Sequence, residues 1–312
     1  MSICSQNAQP IRIFIGSSSK NVVEEKVFIY SLLQTSSLPI EINIIDGETG
    51  AVRMQNGEVK PLPESVKSCL KGATAFSLGR FAIPAWCDYQ GRAIYCDSDE
   101  IALSDIAELW NLDLGVATVA AVHVREAKSN KAYVNHFLRG LMRSQQDYYL
   151  TSVMLMDCER LKSWDLEAIV AQFNQDQFSY PEMMFLGAGF TDAVETRVKS
   201  LESCWNHLDI RLSDSKIVHF TDLTSQPWLF HHNRVGAFWE TYFMEAFQQG
   251  LVTQTELQDA YDRGVISKRI QELPTMQSWQ GRLKNSFWRQ WSATQFIVWK
   301  TVKRQIDRVR FV

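Results

Sequence analysis

Two aspartates separated by one residue, Asp97 and Asp99, follow directly after the short apolar strand pattern at 92–96. Two carboxylates this close repel each other, so the pair is costly unless a positive group lies between them. Hard divalent cations such as Mn²⁺ and Mg²⁺ prefer carboxylate and phosphate oxygens, and a nucleotide diphosphate would complete their coordination. The spacing therefore indicates a metal site, although it also occurs in turns where both side chains cap the backbone.

Two further residues, His219 and Arg80, lie where they could assist such a site. His219 ends the short apolar run 216–219. A histidine there is often structural, but imidazole is also a common further ligand for Mn²⁺ beside carboxylates. Arg80 is a cation in an otherwise apolar segment. It is either a surface or ion-paired residue, or a guanidinium directed at a phosphate or an acidic site residue.

The N-terminal pattern predicts the elements that would position these groups. Residues 11–15 predict a buried strand, 22–33 a helix and 39–46 a second strand. Strand, helix, strand in this order builds a parallel sheet, and ligands bind beyond the carboxyl ends of its strands. The loop Gly16-Ser17-Ser18 follows the first of these strands.

The rest of the chain predicts alternating strands and helices, then helices alone. We expect a loop or hairpin around Gln55-Asn56-Gly57, and a helix at 77–83 that Pro84 limits. Further strands are predicted at 92–96, 115–124 and 152–156. Further helices are predicted at 106–110, 166–173, 238–247, 255–263 and 287–309. The predicted organisation is a flexible leader at 1–10, a catalytic domain at 11–230 and a helical extension at 231–312.

Composition excludes several classes of protein. The 312 residues are 46% hydrophobic and 21% charged, which is ordinary for a globular chain and excludes global disorder. No apolar run is long enough for a membrane-spanning helix, and residues 1–10 do not resemble a secretory signal, so we expect a cytoplasmic location. The six cysteines form no CxxC pair, which indicates neither a zinc ribbon nor a disulfide framework.

Charge is distributed unevenly along the chain. Residues 279–312 hold eight Lys or Arg and one Asp, a balance of +7, so the remainder sums to −10. The same segment holds Trp279, Trp288, Trp291, Phe296 and Trp299. Basic and aromatic residues together are typical of an amphipathic helix on an anionic membrane surface. Alternatively, the aromatic residues pack on the catalytic domain and the charges are solvated. No nucleic-acid motif accompanies the basic residues, so no nucleic-acid partner is expected.

In this order the features resemble glycosyltransferase family 8, the retaining GT-A enzymes that include glycogenin and bacterial lipooligosaccharide galactosyltransferases. Five blocks carry the resemblance: IRIFIGSSS, FSLGRFAIP, RAIYCDSDEIALSDIAELWN, SVMLMDCERLKSW, and WNHLD followed by IVHFTDLTSQPW. They span residues 11–228. The resemblance implies an α/β GT-A fold, a mixed and mostly parallel sheet flanked by helices, with the aromatic and basic helical segment as a C-terminal extension.

The resemblance also implies the roles of individual residues. Asp97, Asp99 and His219 would hold Mn²⁺ or Mg²⁺, and Arg80 would reach toward the donor. Gly16, Ser17 and Ser18 would bind the uracil and ribose of a UDP-sugar. Ser98, Asp222 and Gln226 would complete the donor site.

Three departures from the family pattern affect the prediction. The loop after the first strand lacks the acidic residue that usually faces the uracil. Asp222 and Gln226 stand where the family commonly has Gly and the Lys that binds the diphosphate. The Asp-Gln pair that many members place on the acceptor face has no counterpart in this sequence, and Glu182 is the nearest carboxylate by register. Retention without a placed nucleophile would suit a front-face mechanism, in which the acceptor hydroxyl attacks from the side that UDP leaves.

The predicted function is metal-dependent, retaining transfer of galactose or glucose from a UDP-sugar. The acceptor would be a hydroxyl of a saccharide or a lipid-linked molecule, reached in the cytoplasm or at the inner face of the membrane through residues 279–312. An alternative is a catalytically decayed protein that binds nucleotide sugars or acts as a scaffold. A metal-dependent phosphohydrolase ranks last, because the chain offers no second carboxylate cluster or nucleophile motif.

Overall fold

The N-terminal strand, helix and strand form the parallel unit that the sequence predicts. The computed structural model describes residues 9–67, 75–130 and 136–275, together with Trp291, Thr294, Gln295 and Val298. Strand β1 (Ile11–Ser17), helix α1 (Val22–Thr35) and strand β2 (Ile40–Asp46) follow one another. Strands β1 and β2 pair in parallel, with Ile11 opposite Ile40.

Eight of the described strands form one mixed sheet in the order β4-β3-β2-β1-β5-β8-β7-β9. The remaining members are β3 (Val52–Arg53), β4 (Val59–Lys60), β5 (Arg92–Asp97), β7 (Val119–His123), β8 (Tyr149–Asp157) and β9 (Val198–Leu201). Strand β1 runs parallel to both β2 and β5, whereas β8 is antiparallel to its neighbours β5 and β7. The mixed α/β architecture agrees with the prediction.

The described residues also form a second, three-stranded sheet beside the main one. It pairs β10 (His207–Leu208), β11 (Ile217–His219) and β6 (Glu100–Ala102) in the order β10-β11-β6. Strands β6 and β11 are antiparallel, with His219 opposite Glu100. Asp97 ends β5 in the main sheet and Glu100 begins β6, so the Asp-x-Asp segment lies in the turn between the two sheets.

The described helices beyond α1 surround these sheets. They are α2 (Glu64–Lys67), α3 (Ala75–Gly79), α4 (Ile83–Trp86), α5 (Ile106–Trp110), α6 (His136–Arg143), α7 (Leu166–Asn174), α8 (Tyr180–Met184), α9 (Ala188–Ala193), α10 (Gly236–Gln248), α11 (Gln254–Asp262) and α12 (Lys268–Glu272).

Two predicted boundaries were wrong. Pro84 does not end a helix but lies in the first turn of α4, after a 3-10 turn at Arg80–Ala82. Proline is tolerated there because a first-turn N–H has no intrahelical acceptor. The strand predicted at 115–124 begins only at Val119, because Gly115 adopts a left-handed φ of 55° in the turn before it.

Alternating side chains of β1 divide the core between the two faces of the main sheet. Ile13 and Ile15 pack into one buried cluster, and Phe14 packs into the other. A third cluster joins α1 to the C-terminal helices and includes Val27 of α1 with Trp239 and Phe243 of α10. The described part of 231–312 therefore packs on the α/β core, while the domain boundary near residue 230 stays a prediction.

Most of the basic and aromatic C-terminal segment lies outside the described residues, and so does most of the helix predicted at 287–309. Of the four described positions, Trp291 and Val298 are exposed, and the Thr294 hydroxyl lies 3.2 Å from Arg234 Nη2. Within the described part of the chain, no helix has both the length and the hydropathy needed to cross a membrane.

Helix α1 buries an acidic residue near its start. Glu24 is 2% exposed, and its Oε1 accepts a hydrogen bond of 2.6 Å from Asn21 Nδ2. Burial raises the pKa of Glu24 from 4.5 to about 8. Between these pH values the folded state holds a proton that the unfolded chain has lost. The contribution of Glu24 to stability is therefore greatest at acidic pH, and it falls as the pH rises toward 8.

Replacement of Glu24 by Gln should remove this part of the pH dependence. Glu24→Gln keeps the acceptor for Asn21 but cannot ionise. We expect the free energy of unfolding of the variant to exceed that of the wild type at pH 8.5 by an amount of the order of a few kcal/mol, with a much smaller difference at pH 4.5. Urea denaturation at both pH values measures this, and an equal difference at both would contradict it.

Candidate active site

Asp97, Asp99 and His219 come together at the turn between the two sheets. One candidate ligand atom from each residue lies within 4.8 Å of the others. His219 Nε2 is 3.0 Å from Asp99 Oδ1 and 4.0 Å from Asp97 Oδ2. The backbone fixes this arrangement, because the Phe220 N–H donates to the Asp99 carbonyl at 2.9 Å and the Ser98 N–H donates to the Gly16 carbonyl at 3.1 Å.

Two residues that sequence reasoning missed face the other side of the His219 ring. Its Nδ1 lies 3.3 Å from Asn206 Oδ1 and 3.7 Å from Glu100 Oε1. Asn206 is itself fixed by donating to the Ser152 hydroxyl at 2.7 Å. An acceptor at Nδ1 favours the proton on that nitrogen and leaves Nε2 facing the aspartates, which is how metal-binding imidazoles are oriented. In the sequence, the only indications of these two residues were that Asn206 lies inside the WNHLD block and that Glu100 directly follows Asp99.

The cluster is rich in negative charge. Burial alone would lower the pKa of His219, but Asp99, Glu100 and Asp97 outweigh it and raise that pKa to about 10. Glu100 is fully buried, and burial raises its pKa well above the usual range. The imidazolium offsets part of this negative charge when no cation is bound, so the cluster is suited to a positive ion.

Arg80 contacts the cluster from the main sheet. It is 5% exposed, and its Nη2 lies 3.5 Å from Asp97 Oδ1 and 3.2 Å from the Tyr95 hydroxyl. Its Nη1 donates to the Thr151 carbonyl at 3.1 Å and to the Thr151 hydroxyl. Tyr95 in turn donates to Asp97 Oδ1 at 2.5 Å. Arg80 is therefore a buried guanidinium that forms an ion pair with Asp97, and its role toward a donor stays a prediction.

A cleft of about 400 Å³, here called the polar cleft, opens on one side of Asp97. It is lined by Gly16, Ser18, Lys20, Asn21, Gly47, Glu48, Asp97, Ser98, Asp99, Leu223 and Gln226. Four of the predicted donor-site residues therefore meet there with the two aspartates. Lys20, which the sequence analysis did not single out, adds a positive charge to the same cleft.

A second cavity of about 390 Å³, here called the inner cavity, opens on the other side of Asp97. Its lining residues are Arg80, Asp97, Leu138, Leu150, Thr151, Ser152, Tyr180, Met184, Phe185, Leu208, His219 and Thr221. Asp97 is shared by both spaces. The candidate metal ligands therefore lie where the two spaces meet.

Three predicted site residues do not reach the cluster. Ser17 is 1% exposed and lines neither space. Asp222 Oδ1 accepts hydrogen bonds from the backbone N–H and hydroxyl of Thr224, at 3.0 and 2.7 Å, so it caps its own turn.

Glu182 likewise lines neither space. It forms a capping box with Ser179 at the start of α8, and its Oε1 accepts from the Gly189 N–H at 3.2 Å. These hydrogen bonds lower the pKa of its carboxyl. Both oxygens therefore accept hydrogen bonds from neighbouring residues of the chain, and the catalytic role of Glu182 stays a prediction.

The donor set fits a divalent transition ion. Two carboxylates and one imidazole suit Mn²⁺, whereas Mg²⁺ prefers oxygen ligands alone. Asp97 and Asp99 are partly exposed toward the polar cleft, so ligands from a bound molecule have access to the same centre.

Comparison with known proteins places this geometry in a family. A model described as "Glycosyl transferase family 8" matches residues 65–240, more than half of the chain. Protein CDI of Arabidopsis thaliana is 25% identical over 243 residues, which cover 76% of this chain and 83% of that protein. Probable galacturonosyltransferase-like 8, also of Arabidopsis thaliana, is 31% identical over 121 residues, or 34% of this chain and 31% of that protein.

Solved glycosyltransferases share the fold. The bifunctional glycosyltransferase WbbM superposes with a TM-score of 0.55 at 13% identity, covering 84% of this chain and 53% of that one. The galactosyltransferase LgtC, solved with donor and acceptor sugar analogues, gives 0.53 at 13% identity, covering 78% of this chain and 100% of that one. GlyE of Streptococcus pneumoniae gives 0.51 at 15% identity, covering 83% of this chain and 65% of that one. Both the α/β architecture and its GT-A form are thus shared with known glycosyltransferases.

The contact between Asn206 and His219 predicts an effect on metal affinity. Asn206→Ala removes the acceptor that orients the imidazole, so Mn²⁺ should bind about tenfold more weakly. Electron paramagnetic resonance of free Mn²⁺ measures the affinity without any substrate. Asn233→Ala is a matched control, because Asn233 is equally buried and its Oδ1 accepts from the Val235 N–H in a separate turn. Unchanged Mn²⁺ affinity in Asn206→Ala would refute the positioning role.

Proposed function

The chain belongs to glycosyltransferase family 8, and from this premise we propose that it is a metal-dependent retaining hexosyltransferase. It transfers galactose or glucose from a UDP-sugar to a hydroxyl of a saccharide or lipid-linked acceptor. The observation that carries the proposal is the meeting of Asp97, Asp99 and His219 at the junction of the two cavities. LgtC, which shares the fold, was solved with donor and acceptor sugar analogues.

The polar cleft is the proposed donor site. Gly16, Ser18, Ser98 and Gln226 supply a small, polar lining on the β1 side of Asp97. The positive charge that the family commonly has near Gln226 is missing from this sequence, and we assign its part to Lys20 in the same cleft. Arg263 stabilises the loop between β1 and α1, which carries Lys20, because its Nη2 donates to the Ser19 carbonyl at 2.5 Å.

The side chains of the cluster suit departure of a diphosphate. Asp97, Asp99 and His219 would hold Mn²⁺, which when bound acts as a Lewis acid toward the negative charge on the leaving group. Arg80 orients Asp97 and adds a fixed positive charge next to it. Among the described residues that line the inner cavity, Asp97 is the one carboxylate. We keep the front-face mechanism as part of the proposal, with the leaving phosphate accepting the proton of the acceptor hydroxyl.

Two other expectations stay predictions. One is a cytoplasmic location. The other is contact of residues 279–312 with an anionic membrane surface, and this segment lies almost entirely outside the described residues. The alternative of a decayed nucleotide-sugar-binding protein is motivated by two missing groups: the phosphate-binding lysine, in whose place Gln226 stands, and the acid that usually faces the uracil. Turnover of a donor separates this alternative from the enzyme.

Release of UDP tests the metal-dependent activity. We expect UDP release from UDP-galactose or UDP-glucose with Mn²⁺ and none with EDTA. UDP-galacturonic acid belongs in the same panel because of the name of one relative. Asp97→Asn and Asp99→Asn should lower the rate by about 10²-fold or more, because each removes a metal ligand. Asp192→Asn, an exposed change on α9, is the matched control. UDP binding without release from any donor, with an acceptor panel present, would favour the decayed protein.

Binding of UDP tests the assignment of Lys20. Lys20→Gln removes one partly screened charge from the polar cleft, so the Kd for UDP should rise roughly fivefold. Affinity for uridine, which carries no phosphate, should change little. Calorimetric titration of both ligands measures the difference, with Lys162→Gln, another exposed lysine, as the control. An equal loss of affinity for UDP and uridine would contradict a phosphate contact.

A further inference from the structure

The polar cleft holds an acidic side chain that the proposed function does not use. Glu48 follows β2, is exposed, and lines the cleft together with Gly16, Ser18 and Asn21. The two aspartates of the candidate metal cluster lie at the β5 side of the same space. A carboxylate repels a diphosphate that binds in the same cleft. Glu48 is therefore suited to a part of the nucleotide that carries no negative charge.

Backbone contacts and one hydroxyl hold Glu48 in place. Asp46 Oδ1 accepts from the Glu48 N–H at 2.7 Å. The Gly47 N–H donates to the Ser17 carbonyl at 2.6 Å, which ties this loop to the end of β1. The Ser19 hydroxyl donates to Glu48 Oε1. Among the described residues nothing donates to Glu48 Oε2, so this oxygen is available to accept from a ligand.

An amide in the same cleft is fixed in a similar way. The Ser18 hydroxyl donates to Asn21 Oδ1, and Asn21 Nδ2 donates one of its two protons to Glu24 Oε1 at 2.6 Å. The second Nδ2 proton has no acceptor within the part of the chain that the structure describes. The cleft therefore offers a ligand both a carboxylate oxygen as acceptor and an amide as donor.

The main sheet sets the order in which a nucleoside diphosphate meets these groups. Strand β1 lies between β5 and β2, and Gly16 pairs with Asp97 on one side and with Ile45 on the other. Neighbouring strands are about 4.8 Å apart, so the end of β2 lies roughly 10 Å from that of β5. In the nucleotide, the ribose separates the diphosphate from the base. With the diphosphate at the aspartates, the ribose faces the end of β1 and the base reaches the end of β2 and Glu48.

The chemistry of the base decides which nucleotide fits this acceptor. Uracil carries one N–H, at N3, between two carbonyl oxygens. A carboxylate accepts such an N–H in a charge-assisted hydrogen bond, and an amide donates to a neighbouring carbonyl. Cytosine has nearly the same shape, but its N3 carries a lone pair that would face the carboxylate. Resting on the proposed function, we propose that Glu48 accepts from N3–H of the donor's base and so selects uridine over cytidine diphosphate donors.

Binding of UDP and CDP to the intact protein in the presence of Mn²⁺ tests this proposal. The two ligands share the ribose and the diphosphate, so the ratio of their Kd values reports the base alone. In the wild type we expect the Kd for CDP to exceed that for UDP by at least about tenfold. In Glu48→Gln the ratio should fall to about three or less, because an amide accepts from uracil and donates to cytosine. Calorimetric titration measures all four values.

Two further variants locate the effect. Glu58→Gln changes another exposed glutamate, which does not line the polar cleft, and should leave the ratio unchanged. Ser19→Ala removes the hydroxyl that holds the carboxylate and should lower the ratio by a smaller factor than Glu48→Gln. A wild-type ratio near one would overturn the proposal. So would an unchanged ratio in Glu48→Gln, which is the result that a contact of Glu48 with the shared ribose would give.

Failure of this proposal and failure of the proposed function give different results. If the wild type binds UDP and CDP equally well with Mn²⁺, only the assignment of Glu48 fails. If it binds neither nucleotide, the proposed function fails.

Discussion

The antiparallel pairing of β6 with β11 is the constraint on which the site depends. It places His219 opposite Glu100 and so brings an imidazole from late in the chain against Asp97, the last residue of β5, and Asp99, which follows that strand. Without this pairing the imidazole would not reach the carboxylates in the turn between the sheets, which Arg80 approaches from the main sheet. The fold therefore concentrates charge of one sign and supplies two positive groups, His219 and Arg80, from different directions. The carboxyl groups at the turn outnumber these two positive side chains, and a site for a cation requires such an excess of acidic groups.

Local signals in the sequence predicted the parts of the site that depend on local structure. Asp97 and Asp99 follow a strand pattern, so their position at a sheet edge could be deduced without any tertiary information. His219 was selected through the resemblance, because a single histidine after an apolar run has several ordinary explanations. The strand, helix and strand at 11–46 were predicted because their hydrophobic periodicity coincides with burial in the main sheet.

Contacts between distant segments could not be predicted in the same way. Asn206 orients His219 only because β10 and β11 lie side by side, and Arg80 meets Thr151 across 71 positions of the chain. For Glu182, in contrast, a local interaction that the family resemblance did not take into account determines the position of the side chain. Its register with a family motif suggested catalysis, but the serine three residues earlier makes a capping box, and that local interaction determines where the carboxylate lies.

Helix α1 has consequences for how much of the chain can exist by itself. Its Val23, Val27 and Tyr30 belong to a buried cluster that also holds Ile101 and Val218 of the small sheet and apolar side chains of α10 to α12. Lys26 and Glu256 add an ion pair of 2.5 Å across the same contact. A fragment that stopped at the end of the family match would leave part of this cluster open to water, and such surfaces promote self-association. The apolar contacts of α1 therefore continue past residue 240, where the family match ends, as far as Leu273.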